Sequence, residues 1–167
     1  MLHPTPDDTV ILIAYDGSAD AQAAIDTAGE LMKGQPATVL TVWERLSDLV
    51  ARTGSGMAIG EIDFESADRS SEDQAREGAE EGSERAKRAG LDSVALACVR
   101  GDSVAATILA QADAVGARVI VMGTRGLTGL KSLLLGSVSH HVLQHADRAV
   151  VVVPSPATAH ERAAHSR

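Results

Sequence analysis

The chain has 167 residues, enough for one domain with a sizeable core and too few for two ordinary ones. Hydrophobic residues make up 44% but aromatics only 2%, so the core has to be built from Val, Ile, Leu and Ala, which suits helices packed closely on a sheet. With 15 basic residues against 23 acidic ones the net charge is -8, which argues against nucleic acid as a partner but leaves room for a small nucleotide that needs only a local positive field.

Residues 1–8 read as a flexible N-terminus without a basic region ahead of an apolar stretch, and no run of about 18 apolar residues follows anywhere. A cytoplasmic protein with no membrane partner is expected. Val10 to Tyr15 is a continuous apolar run, as a strand buried on both faces requires. Ser18 can cap the helix after it, where Ala21, Ala24, Ile25, Ala28, Leu31 and Met32 recur at helical spacing before Lys33 and Gly34 end it. Ala37 to Trp43 makes a second strand. Residues 45–66 then show no sustained period and carry Gly54, Gly56 and Gly60, so they read as a long irregular connection, disordered or functional.

A second helix is expected from about Ala67 to Ala89, acidic early and basic late as the macrodipole favours, with a small inward stripe of Ala75, Ala79, Gly82 and Ala86. Ser93 to Val99 is a third strand, and its Cys98, the single cysteine, reads as a buried small hydrophobe. Asp102 or Ser103 caps a third helix that Gly116 ends. Arg118 to Met122 forms a fourth strand, a short helix runs from Ser137 to His145, and Ala149 to Val153 is a fifth strand stopped by Pro154. Residues 156–167 read as a disordered tail, which leaves 9–155 as the domain. Alternating strands and helices imply an α/β fold with right-handed crossovers and a mainly parallel sheet covered on both faces.

The segment VIVMGTRGLTGLKSLLLGSVS, Val119 to Ser139, carries the chemistry. Gly123, Gly126 and Gly136 fall in the pattern G-x2-G-x9-G with Ser137 directly after, so two glycines leave a strand and one opens a helix. That arrangement aims unpaired helix-start N–H groups, and the positive end of the macrodipole, at an anion. A P-loop is excluded because Leu130 separates Gly129 from Lys131, and no G-x-G-x-x-G follows the first strand. In parallel sheets ligands bind beyond the carboxyl ends of strands where the strand order reverses. The Asp16-Gly17-Ser18 turn and the Gly123 loop both qualify. Asp16 then reads either as an acceptor for a ribose or base, or as a turn and capping aspartate.

These residues resemble the universal stress protein family over about Val10 to Val153. The resemblance rests on the first strand ending in Asp16-Gly17-Ser18, the second ending in Thr41-Val42-Trp43-Glu44, and the full motif G-x2-G-x9-G-[ST] at Gly123, Gly126, Gly136 and Ser137. It implies an open five-stranded parallel sheet of order 3-2-1-4-5, a Rossmann-like adenine-nucleotide fold. It also implies ATP binding, since members lacking the motif generally do not bind it. By position, Ala14 and Tyr15 lead to the rim and Asp16 meets the ribose or adenine end. Val42 and Met122 flank the base, and Gly123 and Gly126 line the path to the phosphates, which Gly136, Ser137, Val138 and Ser139 hold.

Some residues depart from that pattern or lie outside it. Tyr15 stands where many members have a smaller residue, and fills space with its hydroxyl in water unless it alters the rim. Arg125 is placed to reach a β- or γ-phosphate, with a solvated loop arginine as the alternative. Asp147-Arg148 replaces a common Cys-Pro. His140, His141 and His145 read as surface histidines, with a metal site the weaker reading for want of further ligands; Mg²⁺ bridging the phosphates is the expected metal. No catalytic base is apparent, so hydrolysis is slow at most. The apolar fifth strand points to a homodimer through Ala149 to Val153, beside an unknown protein partner. The expected role is an ATP-dependent regulatory switch. The alternatives are a module for another adenine nucleotide such as cyclic AMP, and an enzyme cleaving ATP at the α-phosphate.

Overall fold

The computed structural model describes residues 9–53, 63–127 and 135–165. The expected flexible N-terminus, residues 54–62 of the long connection and residues 128–134 of the glycine loop lie outside the described residues. Five strands form one sheet: β1 (Ile11–Ala14), β2 (Pro36–Trp43), β3 (Asp92–Arg100), β4 (Val119–Gly123) and β5 (Ala149–Val153). All pairings are parallel, in the order β3-β2-β1-β4-β5, as the family resemblance implies. Six helices accompany them among the described residues: α1 (Ala19–Leu31), α2 (Leu46–Thr53), α3 (Phe64–Arg88), α4 (Val104–Ala114), α5 (Ser137–His145) and α6 (Pro156–His165).

Strand alternation divides the core into two layers, one on each face of the sheet. Ile11, Ile13, Val39, Val121 and Val153 face Ala21, Ala24, Ile25 and Ala28 of α1 and Ala86 of α3. Leu12, Leu40, Ile120 and Met122 face Ala105, Ile108 and Ala112 of α4 and Val142 of α5. The small stripe of α3 lets the helix come close. A Cβ on Gly82 would stand 2.8 Å from the Tyr15 ring, so the ring occupies the room a side chain there would need. Local signals fix the helix ends: Ser18 and Ser103 accept from Ala21 N and Ala106 N as N-caps, and Gly34 (φ 77°) and Gly116 (φ 63°) follow the C-termini in left-handed conformations.

Two parts of the chain differ from the sequence expectation. The connection at 45–66 is not irregular throughout, because α2 occupies Leu46–Thr53 and α3 already begins at Phe64. Asp68 of α3 accepts from Leu46 N at 2.8 Å and approaches Arg45 Nε at 3.8 Å, so a carboxylate from the next helix anchors the first turn of α2. The tail is likewise structured over Pro156–His165, where α6 is held by hydrogen bonds to a distant carboxylate. Arg148, in the Asp147-Arg148 pair, donates to Asp147 at 2.8 Å, to the Ala117 carbonyl at 2.8 Å and to Asp113, tying the entrance of β5 to the end of α4. Among the described residues no helix is long and apolar enough to cross a membrane.

Candidate functional site

The β1 and β4 strands are neighbours, so the turns that leave their carboxyl ends border one crevice. It has a volume of about 410 Å³. All twelve residues singled out from the sequence line it: Ala14, Tyr15, Asp16, Val42, Met122, Gly123, Arg125, Gly126, Gly136, Ser137, Val138 and Ser139. Leu40, Val104 and Ile108 also line it. Those three escaped the sequence reading because their spacing marks them only as core residues of β2 and α4.

The crevice has an apolar end and a polar end. Ala14, Leu40, Val42, Val104, Ile108 and Met122 form a wall suited to a flat, weakly polar ring. At the other end Gly136 is the N-cap of α5 and supplies no side-chain cap. The first amides of α5 have no acceptor within the helix, so they and the macrodipole present a positive field to whatever lies in front. Gly136 N donates to the Thr124 carbonyl at 2.7 Å, and Ser139 Oγ sits 2.8 Å from that same oxygen. The Ser139 hydroxyl therefore ties the glycine loop to the helix start and is committed to that task; Ser137 is exposed.

Asp16 is exposed at the rim. Its Oδ1 accepts from Ser18 N at 3.0 Å and its Oδ2 from Leu127 N at 3.1 Å, so it is at once a turn aspartate and a clasp on the glycine loop. Gly126 has no left-handed φ; what its missing side chain permits is this clasp, because a Cβ there would stand 2.5 Å from Asp16 Oδ2. Gly123 is bare for a different reason, since a Cβ would stand 2.8 Å from the Asp20 carbonyl carbon in the first turn of α1.

The Tyr15 hydroxyl does not point into water. The residue is buried, its hydroxyl lies 3.0 Å from Glu81 Oε1 on α3, and burial followed by that hydrogen bond to a carboxylate pushes its pKa up to about 12. Arg125 takes neither of the orientations read from the sequence. Its guanidinium donates to Thr158 Oγ1 and to Glu161 Oε2 (3.3 Å), both on α6, and is largely buried.

Asp20 is a central residue that sequence reasoning missed. It is 5% exposed and accepts from Thr124 Oγ1, from Arg125 N at 3.2 Å, from Ser155 N at 3.0 Å and from Thr158 Oγ1 at 2.9 Å. Burial raises its pKa, but the bonds from Thr124, Ser155 and Thr158 outweigh that and hold the carboxyl below its ordinary value. It thus fixes the glycine loop, the end of β5 and α6 to the start of α1. The only sequence signal was an acidic residue in a first helical turn, which the macrodipole already explains.

His140, His141 and His145 are exposed on α5; the last two stack at 4.1 Å, and His145 Nδ1 lies 2.9 Å from the His141 carbonyl. Among the described residues no group of three or more His, Cys, Asp or Glu side chains could hold a metal ion.

The sequence model of the Universal stress protein family matches residues 9–154. The chain belongs to that family. It is 32% identical over 146 residues to the universal stress protein YxiE of Bacillus subtilis, an alignment that spans 86% of this chain and 97% of that protein. Among solved structures, the UspA of Lactobacillus plantarum superposes with a TM-score of 0.67 at 20% identity, covering 87% of this chain and 97% of that one. A universal stress protein in complex with cAMP gives 0.60 at 22% identity, over 88% and 97% of the two chains. One from Archaeoglobus fulgidus in complex with dAMP gives 0.55 at 18%, over 87% and 96%.

Proposed function

We propose that this universal stress protein binds an adenine nucleotide in the crevice between β1 and β4, with ATP as the regulatory ligand of a stress response. The observation that carries the reading is the union, in one cleft, of an apolar slot for a base and an uncapped α5 N-terminus behind a glycine loop. Family members held with cAMP and dAMP support the ligand class. In this reading Ala14, Val42 and Met122 border the base, and Asp16 exchanges its bond to Leu127 N for ribose hydroxyls. The amides of Ser137, Val138 and Ser139 donate to phosphate oxygens. Mg²⁺ would enter on the phosphates with its own waters.

Slow turnover at most fits the lining. Asp16 is the only carboxylate among its described residues, and both its oxygens already accept backbone N–H groups. ATP therefore acts by favouring one arrangement of the loop over another. Titration calorimetry with ATP, ADP, AMP and cyclic AMP is expected to show saturable ATP binding, and a mass spectrum should find adenine nucleotide carried through purification. Binding of cyclic AMP without ATP would favour the second reading, for which the relative held with cAMP speaks. Binding of none of the four would overturn both.

We also propose a homodimer through β5. It is an edge strand in the sheet order, its five residues are Ala149 and four valines, and Ala149 is exposed. Apolar edges of this kind pair with a second copy about a two-fold axis. Light scattering at micromolar concentration should report a dimer. A monomer there would dispose of the idea.

A further inference from the structure

Arg125 stands between the two loop glycines and is, with Asp16, one of two charged residues among the described residues that line the crevice. Its Cα lies 3.5 Å from where a Cβ on Gly136 would stand, so the arginine is rooted beside the start of α5. Its side chain nevertheless turns away to α6, where it meets Thr158 Oγ1 and Glu161 Oε2, while its Nε lies 4.0 Å from Asp20 Oδ2. Beside this contact, the described residues anchor that helix through the bonds of Ser155 and Thr158 to Asp20. Thr158 is buried, but Pro156, Ala157, Ala159, His160, Glu161, Ala163 and Ala164 are exposed, so α6 has almost no apolar face against the core. A polar clasp holds it, and the clasp uses Arg125, the one cation among the described residues that line the crevice.

We propose that Arg125 is a specificity-determining residue that reads phosphates beyond the first, and that α6 withholds it. A nucleotide with a single phosphate is served by the α5 amides alone. A triphosphate also offers anionic oxygens that compete with Glu161 for the guanidinium, and a change of Arg125 side-chain conformation transfers the charge from α6 to the ligand. The helix then loses part of its clasp. By linkage, a change on α6 that weakens its hold on Arg125 strengthens triphosphate binding, and triphosphate binding loosens α6. This rests on the adenine-nucleotide reading above and gives that site a regulatory element, the helix Pro156–His165.

The test uses the full chain and two variants, each titrated with ATP and with AMP. Glu161→Gln removes one charge from an exposed position, and is expected to tighten ATP about two- to fivefold, the range a partly exposed ion pair supports, with AMP unchanged. Arg125→Gln should weaken ATP and leave AMP as it was. Hydrogen exchange provides an independent readout: ATP should speed exchange of the α6 amides and AMP should not. Equal shifts for the two nucleotides in Glu161→Gln, or α6 protection indifferent to ATP, overturn the proposal while leaving nucleotide binding intact. A wild-type chain that binds neither nucleotide overturns both.

Discussion

Asp20→Asn is expected to cost about 2–3 kcal/mol of folding stability, a large effect for a substitution that preserves shape. The reason is the distribution of donors around the carboxylate. Oδ2 accepts from Thr124 Oγ1 and Arg125 N, and Oδ1 accepts from Ser155 N and Thr158 Oγ1. A hydroxyl can rotate away from an amide NH2 group, but a backbone N–H cannot. Whichever way the asparagine side chain flips, its NH2 faces either Arg125 N or Ser155 N, and one buried donor is left without an acceptor. The loss should appear as a lower denaturant midpoint with little change in slope. A midpoint equal to that of the wild type would mean that the carboxylate does not hold these segments together.

The same residue sets an expected pH dependence. Its folded-state pKa is depressed, so its contribution is fully present above the unfolded value of about 3.9 and is lost as pH falls through the lower folded value. The stability difference between wild type and Asp20→Asn should therefore hold steady from about pH 5 to pH 8 and shrink below about pH 4. A difference that persisted unchanged into strong acid would show that charge is not what the site uses.

Asp20 also marks where the sequence stopped being legible. The strands were readable because each is a short apolar run, and α1, α4 and α5 because Ser18, Ser103 and Gly136 stand at their starts. The glycine motif located the crevice because the spacing from Gly123 to Ser137 describes one local path from strand to helix. The neighbouring placement of β1 and β4 is a long-range fact that the alternating pattern permits without requiring, and family resemblance supplied it. What the pattern could not show are contacts across the chain. The tail looked unstructured because alanine and polar residues offer no apolar face, yet Thr158 reaches a carboxylate 138 positions away. The first turn of α2 depends on Asp68 from another helix, and the glycines at 54, 56 and 60 masked it in composition. Arg125 could be placed beside the crevice from its local loop, whereas its partners on α6 are long-range and left no mark in the pattern.

Gly123→Ala and Gly126→Ala should fail in opposite ways, though the two residues are three positions apart in one motif. Neither glycine has a left-handed φ, so what distinguishes them is the atom a new methyl would meet. At Gly123 a Cβ stands 2.8 Å from the Asp20 carbonyl carbon and 2.9 Å from Ala21 N. Those are backbone atoms of the first turn of α1, and relief requires moving the helix off β4 and straining the bonds to Asp20. A loss of about 1–3 kcal/mol in stability is expected, as for overpacking elsewhere. At Gly126 the Cβ stands 2.5 Å from Asp16 Oδ2, the end of an exposed side chain that can swing aside. Stability should change by about 0.5 kcal/mol or less. The swing breaks the bond to Leu127 N and removes the carboxylate from the crevice rim, so adenine-nucleotide affinity should fall about tenfold, the value of one charge-assisted hydrogen bond. Denaturation and calorimetric titration of both variants measure the two quantities side by side. Wild-type affinity in Gly126→Ala would take Asp16 and Gly126 out of the binding site, whereas a wild-type midpoint in Gly123→Ala would show that α1 and β4 have room the structure does not give them.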